Sequence, residues 1–276
     1  MADTSTVQAE AMGPDHVPAP MDRSSRLSET VPVPVCGVPV HALTLAESVA
    51  AAEELIAEGR PHQHVSVNAA KIVRARRDPE LARIIRSCSL VNADGQAVVW
   101  AGRMLGRPLP ERVTGIDLML ALWERAARER YRVFLLGAEP AVVRRAAAIA
   151  TSRGVDVVGY RDGYWSDEQE PEVVAAVRET RPDLLFLAVP TPRKEYFLAG
   201  HLADLNCGLA VGVGGSFDVV AGLRARAPRW MRGAGLEWAF RLMQEPRRLF
   251  ARYLVGNTAF VLLVLREALA RRNRCG

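Results

Sequence analysis

Continuous apolar runs alternate with amphipathic stretches through the middle of the chain. Arg132–Gly137, Leu184–Val189 and Leu209–Val213 are apolar at almost every position and end at or lead into glycine or proline. Between these runs, apolar residues in Glu139–Ser152 and Arg193–Leu205 recur at helical spacing. Strands that are apolar on both faces and alternate with helices are typical of a parallel sheet with both faces covered. The pattern therefore predicts an α/β fold, a Rossmann-like and mostly parallel sheet flanked by helices.

The remainder of the α/β region repeats these two patterns in shorter form. Pro79 is expected to break one helical stretch in two, and Thr44 with Glu47 three residues later predicts a capping box at a helix start. Alternating valines and prolines near the N-terminus allow an edge strand at most. The further predicted elements are strands at Val31–Val40, His64–Asn68, Ser89–Asp94 and Val155–Tyr160, and helices at Leu43–Glu58, Ala70–Ser87, Gln96–Leu105, Gly115–Arg130, Pro171–Thr180 and Phe217–Ala221.

The C-terminal part of the chain is strongly basic. The 276 residues carry a net charge of +5, yet the segment from Arg224 to Arg274 holds twelve Arg and three Glu, so the remainder is mildly acidic. Trp, Phe and Leu interleave with these arginines, which suits the interface of an anionic bilayer, although a plain core or an oligomer contact gives similar stripes. We predict an α/β catalytic domain at 31–222 and a helical, Arg-rich, membrane-associating appendage at 223–276. Its longest apolar run, Ala259–Leu265, is too short to span a bilayer.

The N-terminal segment and the cysteines indicate in which cellular compartment the protein is expected. Residues 1–30 are polar and rich in Ala, Pro and Ser, with no basic-then-apolar signal, so we expect a disordered leader. The four cysteines form no CxxC pair, which disfavours a zinc site or a disulfide framework. A reducing cytoplasm is therefore the expected location, with the appendage holding the protein on the inner face of the cell membrane.

Polar side chains are predicted to gather where the first strands end. Ser66 and Asn68 alternate on one strand and so point to the same face. Asp94 follows the next strand directly, in the position from which a general base would act on a ligand at the sheet edge. Arg112 could grip a diphosphate through its guanidinium fork. Taken singly, each of these residues is also compatible with a turn, a helix cap or a surface ion pair.

Glycines follow two of the apolar strands. Gly137 ends one, and Gly214 and Gly215 lie just beyond another, where backbone amides can approach a phosphate or a sugar closely. Asp218 could accept hydrogen bonds from a ribose, or else cap a helix. The spacing is not GxGxxG, and tight turns alone also explain such glycines.

These segments in their order resemble the WecG/TagA/CpsF family, glycosyltransferase family 26, from about Val33 to Leu265. The similarity is carried by Ser66-Val-Asn68, Asp78-Pro-Glu80, Asp94-Gly95, Arg112-Val-Thr-Gly-Ile-Asp117, Phe134-Leu-Leu-Gly137, Pro192-Arg-Lys-Glu195, Gly212-Val-Gly-Gly-Ser-Phe-Asp218, Arg226-Ala-Pro228, Leu236-Glu-Trp238, Arg241, Glu245-Pro-Arg-Arg248 and Arg252-Tyr253.

The resemblance implies an inverting glycosyltransferase that needs neither a metal nor another cofactor. Such an enzyme moves an N-acetylmannosamine-type or related sugar from a UDP-sugar donor to a polyprenyl-diphosphate-linked acceptor, in the synthesis of an exopolysaccharide or another surface polymer. It implies that Asp94 is the general base and that Arg112 belongs to the active site. The family's Thr-x-Asn corresponds to Ser66 and Asn68, which keeps the hydroxyl.

The resemblance also implies substrate-binding residues. The family's usual Pro-Lys-Gln-Glu is Pro192-Arg-Lys-Glu here, so that Lys194 stands in place of Gln and precedes Glu195. A lysine there could favour an acidic sugar or contact a phosphate. Arg241, Arg248 and Arg252 are expected to close over the site and contact the lipid diphosphate.

Two other functions are compatible with parts of the pattern. A nucleotide-cofactor (NAD-type) oxidoreductase would use a similar sheet, but the GxGxxG and the acid about twenty residues later are missing. A nucleic-acid-binding protein would use the basic appendage, but its apolar content is high and no aromatic stacking platform lies on the strands. We therefore expect an anionic membrane and no nucleic acid as partner, and homo-oligomer formation is left open.

Overall fold

The computed structural model describes residues 30–275 except 234 and 245, with backbone only at 229, 232, 241, 246–255, 272, 274 and 275. The expected leader therefore lies outside the described residues, apart from Thr30. The strands are β1 (Val33–Val35), β2 (Val38–Val40), β3 (His62–Val67), β4 (Leu90–Ala93), β5 (Arg132–Gly137), β6 (Asp156–Arg161), β7 (Leu184–Ala188) and β8 (Leu209–Gly212). The helices are α1 (Leu45–Ala57), α2 (Ala69–Ala75), α3 (Pro79–Ser87), α4 (Gln96–Met104), α5 (Gly115–Glu129), α6 (Pro140–Ser152), α7 (Glu170–Thr180), α8 (Arg193–His201), α9 (Ser216–Val220), α10 (Arg229–Gly233), α11 (Glu237–Gln244) and α12 (Pro246–Cys275).

Six strands form one parallel sheet in the order β4-β3-β8-β7-β5-β6. The predicted α/β class is confirmed. In a parallel sheet the carboxyl ends of the strands share one edge, where ligands bind. The ends of β4, β3 and β8 are therefore neighbours at this edge.

The N-terminal valine–proline segment differs from the single edge strand expected at Val31–Val40. It is an antiparallel hairpin in which β1 pairs with β2 around a turn at Cys36 and Gly37, both of which have positive φ. The hairpin is outside the main sheet, but His41 just after it donates its backbone N–H to the carbonyl oxygen of Val91 at 2.9 Å. This contact covers the exposed edge of β4.

Side chains alternate between the two faces of the sheet. Leu184 and Phe186 of β7 belong to one hydrophobic cluster, whereas Leu185 and Leu187 belong to another on the opposite face. The first cluster, which runs from Leu43 to Ala221 in sequence, packs α1, α5 and α6 against the sheet. Both faces are thus covered, as the continuously apolar strands predict.

The last helix returns to the α/β region. Phe260 and Val264 of α12 are buried in a second hydrophobic cluster with residues of the hairpin, α2, α3 and α4. Glu267 adds an ion pair of 3.0 Å with Arg107. Along the same helix, a set of apolar side chains remains exposed, namely Val261, Leu262, Leu265 and Leu269. Within the described residues, no helix is both long and apolar enough to cross a membrane.

Candidate functional site

The ends of β3 and β4 bring Asp94 and Asn68 together. The Asp94 backbone N–H donates to the Val67 carbonyl oxygen at 2.8 Å, which continues the ladder between the two strands by one residue. A Cβ atom on Gly95 would lie 3.6 Å from the Cβ of Asn68. The Asn68 side chain accepts a hydrogen bond from the backbone N–H of Lys71 at 3.0 Å and so caps α2. Asn68 therefore has the structural role of a helix cap, directly beside Asp94.

Ser66 lies beneath this edge with its hydroxyl unsatisfied. The residue is only 6% exposed, and its Oγ has no hydrogen-bond partner among the described residues. A Cβ on Gly115, the first residue of α5, would lie 3.7 Å both from this Oγ and from the Cα of Val213. The first residue of α5 therefore packs closely against Ser66 of β3 and against Val213, the residue after β8. A buried hydroxyl without a partner costs free energy unless a ligand or water satisfies it.

A buried cluster of charges lies under the same edge. The Lys71 ammonium donates to the Ser66 carbonyl oxygen at 2.7 Å and to Glu195 Oε1 at 2.8 Å. The Lys194 ammonium donates to Thr191 Oγ1 at 2.7 Å and lies 3.4 Å from the same Glu195 oxygen. Glu195 Oε2 has no partner in the described part of the chain. Lys71 was not singled out from the sequence, although it is one of only two lysines in an arginine-rich chain.

Burial and neighbouring charges shift the pKa values in this cluster. Burial lowers the pKa of Lys194 to about 8, the positive charge of Lys71 adds to this effect, and Glu195 and Asp94 oppose it. Burial alone would raise the pKa of Glu195, but Lys71 and Lys194 outweigh it, so the pKa is lowered and the group is a carboxylate at neutral pH.

The glycines at the strand ends allow close packing. Gly137 has a φ of +118°, and a Cβ there would lie 2.6 Å from the backbone of Ala188, so no other residue fits. A Cβ on Gly212 would lie 3.0 Å from Cε of Lys194, so the lysine stem runs over bare backbone. Gly214 and Gly215 form the turn before α9, on which Asp218 lies. Their binding roles remain predictions.

Arg112 connects the sheet edge to the appendage. The backbone N–H of Val113 donates to the Ala93 carbonyl oxygen at 2.9 Å, which holds this loop beside the end of β4. The Arg112 guanidinium donates to Glu237 Oε2 of α11, also at 2.9 Å. Close by in sequence, Gly235 packs against Gln96 at the start of α4.

The three other predicted arginines lie on the appendage helices, Arg241 on α11 and Arg248 and Arg252 on α12. Their side chains are outside the described residues, so their role stays a prediction. Among the side chains that the structure describes, no group of three or more His, Cys, Asp or Glu residues could hold a metal ion.

The sequence matches the glycosyl transferase WecG/TagA/CpsF family over residues 33–274. The chain belongs to this family. It is also 32% identical over 195 residues to the N-acetylglucosaminyldiphosphoundecaprenol N-acetyl-β-D-mannosaminyltransferase of Bacillus spizizenii, an alignment that covers 70% of this chain and 74% of that protein. The resemblance to WecG/TagA/CpsF glycosyltransferases is thus confirmed, and glycosyltransferase activity is supported at the level of the family. These matches favour a glycosyltransferase over the oxidoreductase and the nucleic-acid-binding protein considered as alternatives.

Proposed function

We propose that this WecG/TagA/CpsF protein is an inverting glycosyltransferase that uses a UDP-sugar. It transfers an N-acetylmannosamine-type or related sugar to a polyprenyl-diphosphate-linked acceptor, in the synthesis of an exopolysaccharide or another surface polymer. The Bacillus spizizenii relative, named as an N-acetylmannosaminyltransferase of a diphosphoundecaprenol substrate, supports the substrate class. The observation that carries the proposal is Asp94, which follows the end of β4 directly and lies at the ligand-binding edge of the sheet.

The chemistry requires a base on one side of the sugar and a stabilised leaving group on the other. The Asp94 carboxylate takes the proton of the acceptor hydroxyl as its oxygen bonds to the anomeric carbon. The bond from that carbon to the diphosphate oxygen breaks, and UDP leaves with the bonding electrons. Attack opposite the leaving group turns an α-linked donor into a β-glycoside.

Fixed dipoles and cations are available for the leaving diphosphate. The N-terminus of α4 follows Gly95, directly after Asp94 at the carboxyl end of β4, and no side chain caps it. Helix N-termini present free backbone N–H groups and favour negative charge. Arg112 adds a guanidinium on the same side, and the unsatisfied hydroxyl of Ser66 is available to a substrate oxygen.

The appendage supports a peripheral attachment to an anionic membrane on its inner face. Its exposed aromatic and apolar residues include Trp230, Trp238 and Met243, and arginines interleave with them. Such a surface combines electrostatic attraction with apolar insertion, which brings the enzyme to a lipid-linked acceptor. Neither a metal nor nucleic acid has a place in the proposal.

A screen of UDP-sugars against a short-chain polyprenyl-diphosphate N-acetylglucosamine tests the proposal. We expect a disaccharide product with UDP-N-acetylmannosamine or a close relative, detected by mass spectrometry, in the presence of EDTA. NMR of the new linkage should show the inverted anomer. If none of the UDP-sugars were transferred, or if the product kept the anomeric configuration of the donor, the proposal would be contradicted.

A further inference from the structure

The segment from Arg112 to Asp117 is tied to the appendage at both of its ends. At one end, the Arg112 guanidinium donates from Nη1 to Glu237 Oε2 at 2.9 Å. At the other end, the Asp117 carboxylate accepts a hydrogen bond from Nη2 of Arg226. The segment thus presents one cation and one anion, and the appendage meets each of them with the opposite charge. Complementary charges of this kind fix the register of a contact.

The same segment is also tied to the end of β4. The hydrogen bond of 2.9 Å from the Val113 backbone N–H to the Ala93 carbonyl oxygen joins the two. Arg112 directly precedes Val113, and the proposed base Asp94 directly follows Ala93. Arg112 is therefore held between a strand of the sheet and the appendage, one residue away from a contact that Asp94 also adjoins.

The contact with Glu237 uses one side of the Arg112 guanidinium. Nη1 lies on the side of the fork away from the Nε–H group, so the edge formed by Nε and Nη2 is not part of this contact. Within the described part of the chain, neither Nε nor Nη2 donates a hydrogen bond. Two parallel N–H groups on one edge match two oxygens of a phosphate. The ion pair therefore holds the guanidinium in place and leaves it a bidentate edge for a diphosphate.

We propose that Glu237 is a positioning residue, whose carboxylate orients the Arg112 guanidinium toward the donor diphosphate without touching the substrate itself. The inference rests on the proposed function, in which Arg112 stabilises the leaving diphosphate. Both side chains are largely buried, so solvent screens their attraction little. A cation that is fixed before the substrate binds needs no reorganisation as negative charge develops. The appendage thus acts on the reaction through a carboxylate, in addition to the arginines predicted there.

The alternative is that Glu237 occupies the place of the diphosphate and is displaced when the donor binds, and the two roles differ in sign. Isothermal titration calorimetry gives the Kd of UDP and of inorganic pyrophosphate for the wild type, Glu237→Gln and Glu237→Asp. If Glu237 positions Arg112, Gln weakens the binding of both ligands by about tenfold. Asp keeps the counter-charge, which protects the fold, but is one methylene shorter and should weaken binding by about threefold. Tighter or unchanged binding in these variants overturns the proposal.

The matched control is Glu267→Gln. This variant breaks another ion pair between the appendage and the α/β region, the pair of 3.0 Å with Arg107, which lies beyond the end of α4. Its affinity for UDP and pyrophosphate should stay within about twofold of the wild type. A loss as large as that of Glu237→Gln would mean that attachment of the appendage matters and not the orientation of Arg112, and would overturn the proposal.

A second measurement uses transfer from UDP-N-acetylmannosamine to the short-chain acceptor. Glu237→Gln should lower kcat/KM by about tenfold or more, and the double variant with Arg112→Gln should be no slower than Arg112→Gln alone, because Glu237 then has no guanidinium to orient. Independent effects of the two substitutions overturn the proposal. Weakened pyrophosphate binding by Glu237→Gln, together with a wild type that transfers from no UDP-sugar, would instead overturn the proposed function and leave the orientation of Arg112 by Glu237 intact.

Discussion

Arg112 and Glu237 form an ion pair of 2.9 Å, and their side chains are only 13% and 8% exposed. Arg112 lies in the loop beside the end of β4, and Glu237 is the first residue of α11. The pair therefore joins the proposed active site to α11 of the appendage. Removing one partner of a buried pair leaves the other charge without compensation, which is strongly destabilising.

The first prediction concerns this pair. Glu237→Gln should lower the free energy of unfolding by about 3 kcal/mol, because the buried guanidinium keeps its charge and loses its counter-ion. The matched control is Glu80→Gln, which breaks the exposed pair with Arg83 and should cost less than about 1 kcal/mol. Urea denaturation of both variants gives the comparison. Equal costs would mean that the Arg112–Glu237 pair is no stronger than a surface contact.

The second prediction concerns the proposed base. Asp94→Asn should keep the fold and UDP binding but reduce kcat by roughly 10²- to 10⁴-fold, because an amide cannot accept the acceptor's proton. Asp156→Asn serves as the control at the far end of the sheet and should retain full activity. Turnover by a well-folded Asp94→Asn variant close to that of the wild type would exclude Asp94 from the mechanism.

The third prediction is a pH dependence of stability from Lys194. The pKa of this lysine is about 8 in the folded protein against 10.5 as its ordinary value, so between these values the unfolded chain binds more protons. Stability therefore rises with pH across this window, by up to about 3 kcal/mol from this group. Lys194→Met should remove that rise.

The free energy of unfolding of the wild type and of Lys194→Met is measured by urea denaturation at pH 8 and at pH 10, and the change between the two pH values is compared between the two proteins. Burial raises the pKa values of Cys36, Cys88 and Cys207, which act in the opposite direction but equally in both proteins. A wild type and a Lys194→Met variant with the same pH slope would contradict the shifted lysine.

The fourth prediction concerns the return of the last helix to the α/β region. Phe260 is 3% exposed, and Phe260→Ala should cost about 3 kcal/mol through the cavity it leaves. Leu262, two residues on, is 50% exposed, and Leu262→Ala should change stability by less than about 0.5 kcal/mol. Thermal unfolding compares them. Similar small effects would show that α12 does not contribute to the core.

The fifth prediction concerns the appendage arginines. Replacing Arg241, Arg248 and Arg252 together with Gln should reduce transfer to a water-soluble acceptor analogue, because guanidinium groups recognise a diphosphate in bidentate fashion. Co-sedimentation with anionic liposomes, at low and high salt, reports the membrane contribution separately. If sedimentation falls and the rate on the soluble analogue is unchanged, these arginines serve as membrane anchors alone.

The periodicity of the sequence predicted most of the helices and strands because their local signals agree with the packing. The capping box of Thr44 and Glu47 starts α1, Pro79 separates α2 from α3, and β5 covers the residues expected of it. The hairpin of β1 and β2 was missed because its prolines argue against strands, and their pairing depends on the turn at Gly37. The strand order was beyond reach, since the hydrophobic pattern of a strand does not say which other strand it pairs with.

The site was predictable where it follows strand ends and unpredictable where it depends on contacts between distant segments. Asp94 follows β4 as expected. By contrast, Lys71 and Glu195 are 124 residues apart, and no spacing rule links them. Asn68 also caps α2 through its side chain, a role that was not predicted from the sequence.

The second hydrophobic cluster has a consequence for the order of folding. It includes Val35 from the hairpin and Val264 from α12, so it joins segments more than two hundred residues apart along the chain. Among the side chains that the structure describes, the first cluster includes none beyond Ala221. Because the contacts of the first cluster span a shorter stretch of chain, they can form earlier during synthesis and at a smaller loop-closure cost. The apolar surface on which α12 packs therefore stays uncovered until that helix has been synthesised, and transiently exposed apolar surface of this kind is prone to aggregation.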